Sequence, residues 1–182
     1  MRAASWLFTC VLVAILPSQH SGAQGPIPRS RHCGSVAEVL IPILPALRAG
    51  TELPLRLPST IPFADRDNPV YASITYLSRS SYDIELSTEP DCAGANSCRV
   101  AQLHGVEGRR QSQQKATSTV ILRRGVVAGF LPSKCGGAGC TDATLSWSEG
   151  KYSYSIDMKA ASKKDLLQMA RSICHDEVGP KP

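Results

Sequence analysis

The sequence predicts an α+β domain: an antiparallel β-meander sheet packed by a C-terminal amphipathic helix and stapled by disulfides. Between residues 70 and 156, short apolar–polar alternations recur with turn residues between them, the pattern of half-buried strands. Over residues 163–173 the spacing changes to helical, with Leu166, Leu167, Met169, Ala170 and Ile173 on one stripe. The chain is 182 residues long and carries seven cysteines, and its 14 Gly and 13 Pro suit strands and turns better than long helices. With 42% hydrophobic residues there is apolar material for one core, and the 19% charged fraction argues against disorder.

The first 23 residues read as a signal peptide. Arg2 supplies the positive start, an apolar stretch runs from Trp6 to Leu16, Pro17 breaks it, and Ser21 and Ala23 are the small residues a signal peptidase reads. Cleavage is expected after Ala23, which places the protein in the periplasm or outside the cell. Cys10 lies inside the apolar stretch without the small residue that precedes a lipidated cysteine. No apolar run reaches the roughly 18 residues of a spanning helix, which argues against a polytopic membrane protein. The net charge of +5, reduced by one when Arg2 is removed, is too small to argue for nucleic acid.

Residues 24–34 form a flexible lead-in, 35–176 a single α+β domain, and 177–182 a disordered tail. Ser35 can cap a helix starting at Val36, but Pro42 and Pro45 divide it into two short pieces. Residues 52–58 alternate around prolines and read as an edge strand. Strands are predicted over 70–77 and 82–87; in the second, Tyr82, Ile84 and Leu86 face the core while Asp83 and Glu85 face water. A short strand follows over 98–104, then a polar, mobile connection over 105–115. Residues 117–122 and 126–131 make a hairpin turned at Arg123, Arg124 and Gly125. The clearest hairpin sets Ala143, Leu145 and Trp147 against Tyr152, Tyr154 and Ile156, turning at Glu149 and Gly150. Ser162 then caps a helix of about twelve residues with Asp165 in its first turn.

Once Cys10 leaves with the signal peptide, six cysteines remain, which suits pairing in an oxidising compartment. Of the fifteen possible pairings, spacing favours Cys92 with Cys98 and Cys135 with Cys140, around loops of small residues, leaving Cys33 to join Cys174 across the domain. That long closure is worth about 4 to 5 kcal/mol in the chain-entropy model. The rival reading is a zinc site, since Cys135 and Cys140 have knuckle spacing. Export and Gly-rich loops weigh against it. The chain has no C-x-x-C motif, which argues against a thiol-disulfide oxidoreductase.

The run over residues 142–174, with Trp147, Gly150, Tyr152, Tyr154 and the closing helix, resembles the tail of small exported bacterial proteins of uncharacterised function. These are similar to sheet-plus-helix lipoprotein-carrier and sigma-regulator sensor domains. Leu53, Pro54, Leu55, Arg56, Leu57 and Pro58, with the four loop cysteines, look like that group too. The resemblance implies an envelope or extracellular protein and no reaction.

Catalytic motifs are missing: there is no G-x-S-x-G elbow, no H-E-x-x-H and no phosphate-binding Gly-rich loop. Asp83, Glu85, Glu89 and Asp91 are paired-carboxylate candidates, but a solvated strand face is the commoner meaning of such a run. His175, Asp176 and Glu177 with His32 make a weak metal candidate. Arg109, Arg110, Lys115, Arg123 and Arg124 are candidates for contact with an anionic surface. Trp147, Tyr152 and Tyr154 are expected to pack in the core. The expected function is therefore a non-enzymatic exported monomer, without cofactor or nucleic-acid partner, that binds a ligand or protein at or outside the cell envelope. The alternatives are a disulfide-braced protein–protein module such as a hydrolase inhibitor, and an envelope hydrolase gathering His104 with a carboxylate or serine. A carrier of an apolar ligand requires a sizeable cavity between sheet and helix.

Overall fold

The computed structural model of the chain describes residues 35–64, 69–92, 95–108, 116–123, 125–137 and 139–175, with the backbone alone for Cys174 and His175. The expected signal peptide (1–23), lead-in (24–34) and tail (177–182) lie outside these residues. So do Cys33, which leaves the expected terminal bridge undescribed, and Arg109, Arg110, Lys115 and Arg124.

A 3-10 helix (Glu38–Ile43) runs into helix α1 (Leu44–Gly50), the two short pieces that the prolines impose. Pro42 sits inside the 3-10 turn and Pro45 in the first turn of α1, where no intrahelical N–H is needed. Ser35 does not cap the pair; the residue before the first turn is Ala37, whose N–H bonds Pro58 O instead. The strands that follow are β1 (Arg56–Pro58), β2 (Tyr71–Ser78), β3 (Ser81–Ser87), β4 (Arg99–Glu107), β5 (Ser118–Arg123), β6 (Val126–Leu131), β7 (Cys135–Gly136), β8 (Gly139–Cys140), β9 (Ala143–Glu149) and β10 (Tyr152–Met158). Helix α2 (Lys163–Arg171) and β11 (Ile173–His175) close the chain.

Seven strands form one antiparallel sheet in the order β2-β3-β4-β10-β9-β6-β5. This departs from a meander. After β4 the chain crosses to the far edge, builds inwards from β5, and inserts β10 beside β4. The hairpins β2–β3, β5–β6 and β9–β10 are local and follow from turn chemistry; Gly150, at φ +59, takes the left-handed conformation the last one needs. The β4–β10 contact is non-local, and register alone fixes it, Leu103 opposite Ile156 and Ala101 opposite Met158. Outside the sheet, β1 pairs with β11 and β7 with β8. Arg56 to Pro58 thus form a strand as predicted, paired with the C-terminal segment, and Leu57 lies opposite Cys174.

The alternation of β3, β4, β10, β9 and β6 places Tyr82, Ile84, Leu86, Leu103, Ile156, Leu145, Trp147 and Phe130 in a single buried core. Leu40, Leu47, Leu53, Leu55 and Leu57 from the N-terminal segment join it, as do Leu166, Met169 and Ala170 of α2. Helix α2 starts in a capping box: Ser162 Oγ accepts from Asp165 N, and Asp165 Oδ2 accepts from Ser162 N at 3.1 Å. It has nine residues rather than twelve, because at Ser172 the chain turns into β11.

Gly105 shows how tightly the core is fitted. A Cβ there would lie 2.4 Å from Tyr82 Cε1 and 2.7 Å from Leu53 Cδ2, so the missing side chain is the space the tyrosine ring fills. Gly105→Ala is expected to destabilise the fold by about 1 to 3 kcal/mol, read as a lowered midpoint in urea. Gly136→Ala, whose Cβ would meet nothing within 4 Å, should stay within about 0.5 kcal/mol of the parent.

Candidate functional site

The face of the sheet opposite the core, which its polar sequence predicts to meet water, is in part buried. Glu85, Ser87, His104, Ser146, Ser153 and Ser155 are all buried on it. Cross-strand register arranges these residues in rows. One row runs Glu85, Gln102, Asp157, Thr144 and Leu131 across β3, β4, β10, β9 and β6; the next runs Asp83, His104, Ser155, Ser146 and Gly129. Since the side-chain period of a strand is two, one register placed every one of these polar groups on the same surface.

At the centre, His104 lies between two carboxylates. Its Nδ1 is 2.6 Å from Asp83 Oδ1 and its Nε2 is 3.1 Å from Asp157 Oδ2. Each ring nitrogen of His104 therefore lies within hydrogen-bond reach of a carboxylate oxygen, one from β3 and one from β10. Thr144 Oγ1 donates to Asp157 Oδ1 at 2.5 Å, and Ser155 Oγ lies 3.4 Å from Asp157 Oδ2. Asp83 and Glu85 thus leave the expected acidic run for the polar face, while Glu89 and Asp91 stay exposed beyond β3. Among the described residues, no group of three or more His, Cys, Asp or Glu side chains is placed to hold a metal ion.

Two disulfide loops converge at the end of the sheet where β4 and β9 begin. Cys92 is bonded to Cys98 just before β4, and Cys135 to Cys140 across the two-residue ladder of β7 and β8. These cysteines are therefore joined to one another rather than available as zinc knuckles. The two bridges differ in environment: Cys92 and Cys98 are 5% and 3% exposed, whereas Cys135 and Cys140 lie at the surface. Arg99 connects the loops. Its Nη2 donates to Asn96 Oδ1 in the first loop at 3.1 Å and lies 2.9 Å from Asp142 Oδ2 just past the second, while Nη1 donates to Gln102 Oε1 at 2.8 Å. Nothing in the sequence singled Arg99 out, because each of its partners except Gln102 is brought to it by a disulfide turn or by a distant strand.

Between this end and the polar face lies an open groove of about 630 Å³. Gln102, Asp157, Thr144 and Leu131 form its floor, and Thr117, Pro132, Lys134, Thr141 and Asp142 its sides. The volume is in the range of small-molecule sites. Asp142 pairs with Arg99, and Asp157 shares His104 with Asp83; the exposed lining of the groove is mostly apolar, with threonine hydroxyls, the Gln102 amide and the exposed Lys134 amine set around it.

At the opposite end of β9, Glu149 is enclosed by cations. Arg56 Nε and Nη2 both reach Glu149 Oε2 at 3.0 Å, and Oε1 accepts from Arg123 Nη2 at 2.5 Å and Trp147 Nε1 at 3.0 Å. Arg56 also lies over the Tyr154 ring, which stacks on Trp147 with centroids 5.7 Å apart. Burial alone would raise the Glu149 carboxyl, but the hydrogen bond and charge of Arg56, joined by Arg123 and Trp147, hold it below its ordinary range. Arg123, a candidate for an anionic surface, thus points to an internal carboxylate and is only 30% exposed. Trp147 and Tyr154 are buried as expected, and burial pushes the Tyr154 and Tyr82 hydroxyls up. Tyr152 is half-buried, with Lys151 over its ring.

Among the described residues no helix is long and apolar enough to cross a membrane. Comparison with protein-family models, with curated proteins and with solved structures gives no match.

Because its folded-state carboxyl titrates below the ordinary value of 4.5, Glu149 stabilises the fold above that pH and ceases to do so as pH falls through the lowered value. Glu149→Gln is expected to cost roughly 2 kcal/mol at pH 7. Thermal melts of parent and variant across pH should show their difference shrinking below pH 4.5; a difference independent of pH would count against the ion pair.

Proposed function

We propose that this chain is an exported, non-enzymatic binding protein that recognises a ligand of small-molecule or short-peptide size at the end of the sheet where its two disulfide loops meet. The observation that carries this reading is the convergence of both loops, through Arg99, on the rim of the 630 Å³ groove. A ligand surface is most effective when its loops are held in the bound arrangement beforehand, and two covalent closures joined by a shared guanidinium do that. Exposed Lys134, Cys140 and Thr141 supply an accessible rim.

Two other readings receive less support. Helix α2 and the sheet enclose a pocket of about 50 Å³, lined by Leu122, Arg123, Trp147, Ala170, Arg171 and Ile173. That is far below the 300 Å³ and upwards typical of ligand sites, roughly, so this pocket lends no support to an enclosed acyl chain. The His104 cluster favours a hydrolase in so far as it brings a histidine within reach of carboxylates. A general base, however, needs an imidazole nitrogen that can accept a proton, and both nitrogens of His104 face acceptors. Ser155 Oγ lies 3.4 Å from Asp157 Oδ2.

Export predicts a mature chain beginning at Gln24, read by N-terminal sequencing of the protein from its producing cells. Native mass spectrometry of the same preparation is expected to show a bound species that Lys134→Trp, which fills the groove from its exposed rim, removes without changing the melting temperature. An empty parent chain, or a ligand that survives Lys134→Trp, would overturn the reading. So would hydrolysis of ester or glycoside probes abolished by His104→Gln.

A further inference from the structure

The two described disulfides do not share a role. Cys92 and Cys98 are buried in the structure, and the loop they close is tied to its surroundings by Thr88 N to Cys98 O and Ala95 N to Cys92 O. Cys135, Gly136, Gly137, Gly139 and Cys140 are all exposed. A Cβ built on Gly136, Gly137 or Gly139 would meet no atom within 4 Å, so open space surrounds this hairpin, whereas the Cys92 and Cys98 side chains are buried. Thiol–disulfide exchange needs a thiolate to reach a sulfur along the S–S axis, and access is one of the quantities that sets its rate.

We propose that Cys135–Cys140 is a site of thiol–disulfide exchange with a dithiol donor, and that its opening loosens the wall of the recognition groove. A donor thiolate attacks one protein Sγ; the S–S bond breaks, the other protein sulfur leaves with the electron pair as a thiolate, and a mixed disulfide forms. The donor's second thiolate then attacks its own sulfur in that mixed disulfide, closing the donor into a cyclic disulfide and releasing the second protein thiolate. Two electrons pass to the protein, and the two protons lost by the donor are taken up by the new thiols.

The consequence for the groove follows from the hairpin's small size. Strands β7 and β8 share two register pairs, and the bonded cysteines are one of them. Immediately below, Lys134 and Thr141 form both sides of the groove and hold each other through Thr141 N to Lys134 O at 2.9 Å and Lys134 N to Thr141 Oγ1 at 3.0 Å. Both residues are exposed, so water competes for these bonds once the covalent closure above them is gone. The effect on binding rests on the recognition reading, whereas the exchange step stands without it.

The test titrates the full folded chain with dithiothreitol, traps thiols with iodoacetamide, and maps them by peptide mass. Cys135 and Cys140 should be alkylated at a dithiothreitol concentration at least roughly tenfold below that needed for Cys92 and Cys98, with the far-ultraviolet dichroism unchanged. Hydrogen exchange over residues 131–142 should accelerate in the same samples. Labelling of Cys92 and Cys98 at equal or lower concentration overturns the exchange site, and unchanged exchange over 131–142 in the alkylated protein overturns its coupling to the groove. If the labelling order holds while Lys134→Trp leaves ligand bound, the recognition reading alone fails. If the order fails while Lys134→Trp removes the ligand, the exchange site alone fails.

Discussion

Arg99 sits where β4 begins, and its guanidinium reaches the Cys92–Cys98 loop through Asn96, the segment after Cys140 through Asp142, and the groove floor through Gln102 of its own strand. A disulfide fixes the ends of its own loop but leaves that loop free to move as a unit. The planar fork of arginine, with five donors in fixed geometry, removes the remaining freedom by setting the two loops against each other. The Arg99 and Asp142 side chains are 17% and 18% exposed, so this pair is screened less than an ordinary surface ion pair. The shape of the candidate site is the shape this one residue imposes.

The sheet behind it separates two kinds of interior. One face carries the aliphatic and aromatic core under α2 and the N-terminal segment; the other carries His104, its carboxylates and a set of buried serines. Three clusters of charged side chains are at least partly buried: Arg99 with Asp142, His104 between Asp83 and Asp157, and Glu149 between Arg56 and Arg123. The first two line or support the groove. The third closes the far end of β9 and ties β1 to the turn of the β9–β10 hairpin, a structural task that accounts for Arg56 in an otherwise apolar stretch.

Much of the fold was legible in the sequence because it is local. The proline-broken helices, the hairpins around Ser78 and Gly150, the capped final helix and both short disulfides follow from residues within a few positions of one another. What was not legible is long-range. A meander is the simplest reading of successive strands, and no local signal tells β4 to accept β10 rather than β5 as its neighbour. That single non-local pairing decides the rest: it puts Asp157 beside Gln102 and His104, and Glu85, expected to face water, lies in a buried polar layer while Asp83 stays partly exposed. His104 was a recognisable candidate as an isolated histidine at a strand position, but its two carboxylates come from β3 and β10, on either side of β4. Arg99 carried no signal, since an arginine next to a cysteine reads as an ordinary exposed cation.

The account stands on the two disulfide loops behaving as one rigid rim through Arg99. Hydrogen exchange on the Arg99→Met chain, compared with the parent and completed by Asp142→Asn and the double variant, tests this most directly. The expected result is that the amides of Ala95 and Thr141, one in each loop region, speed up together by roughly tenfold, the scale of a lost charge-assisted hydrogen bond, and that the two substitutions are not additive. Parent-like protection of Thr141 in the Arg99→Met chain, or strict additivity of the cycle, would show that the loops are independent and would contradict the account.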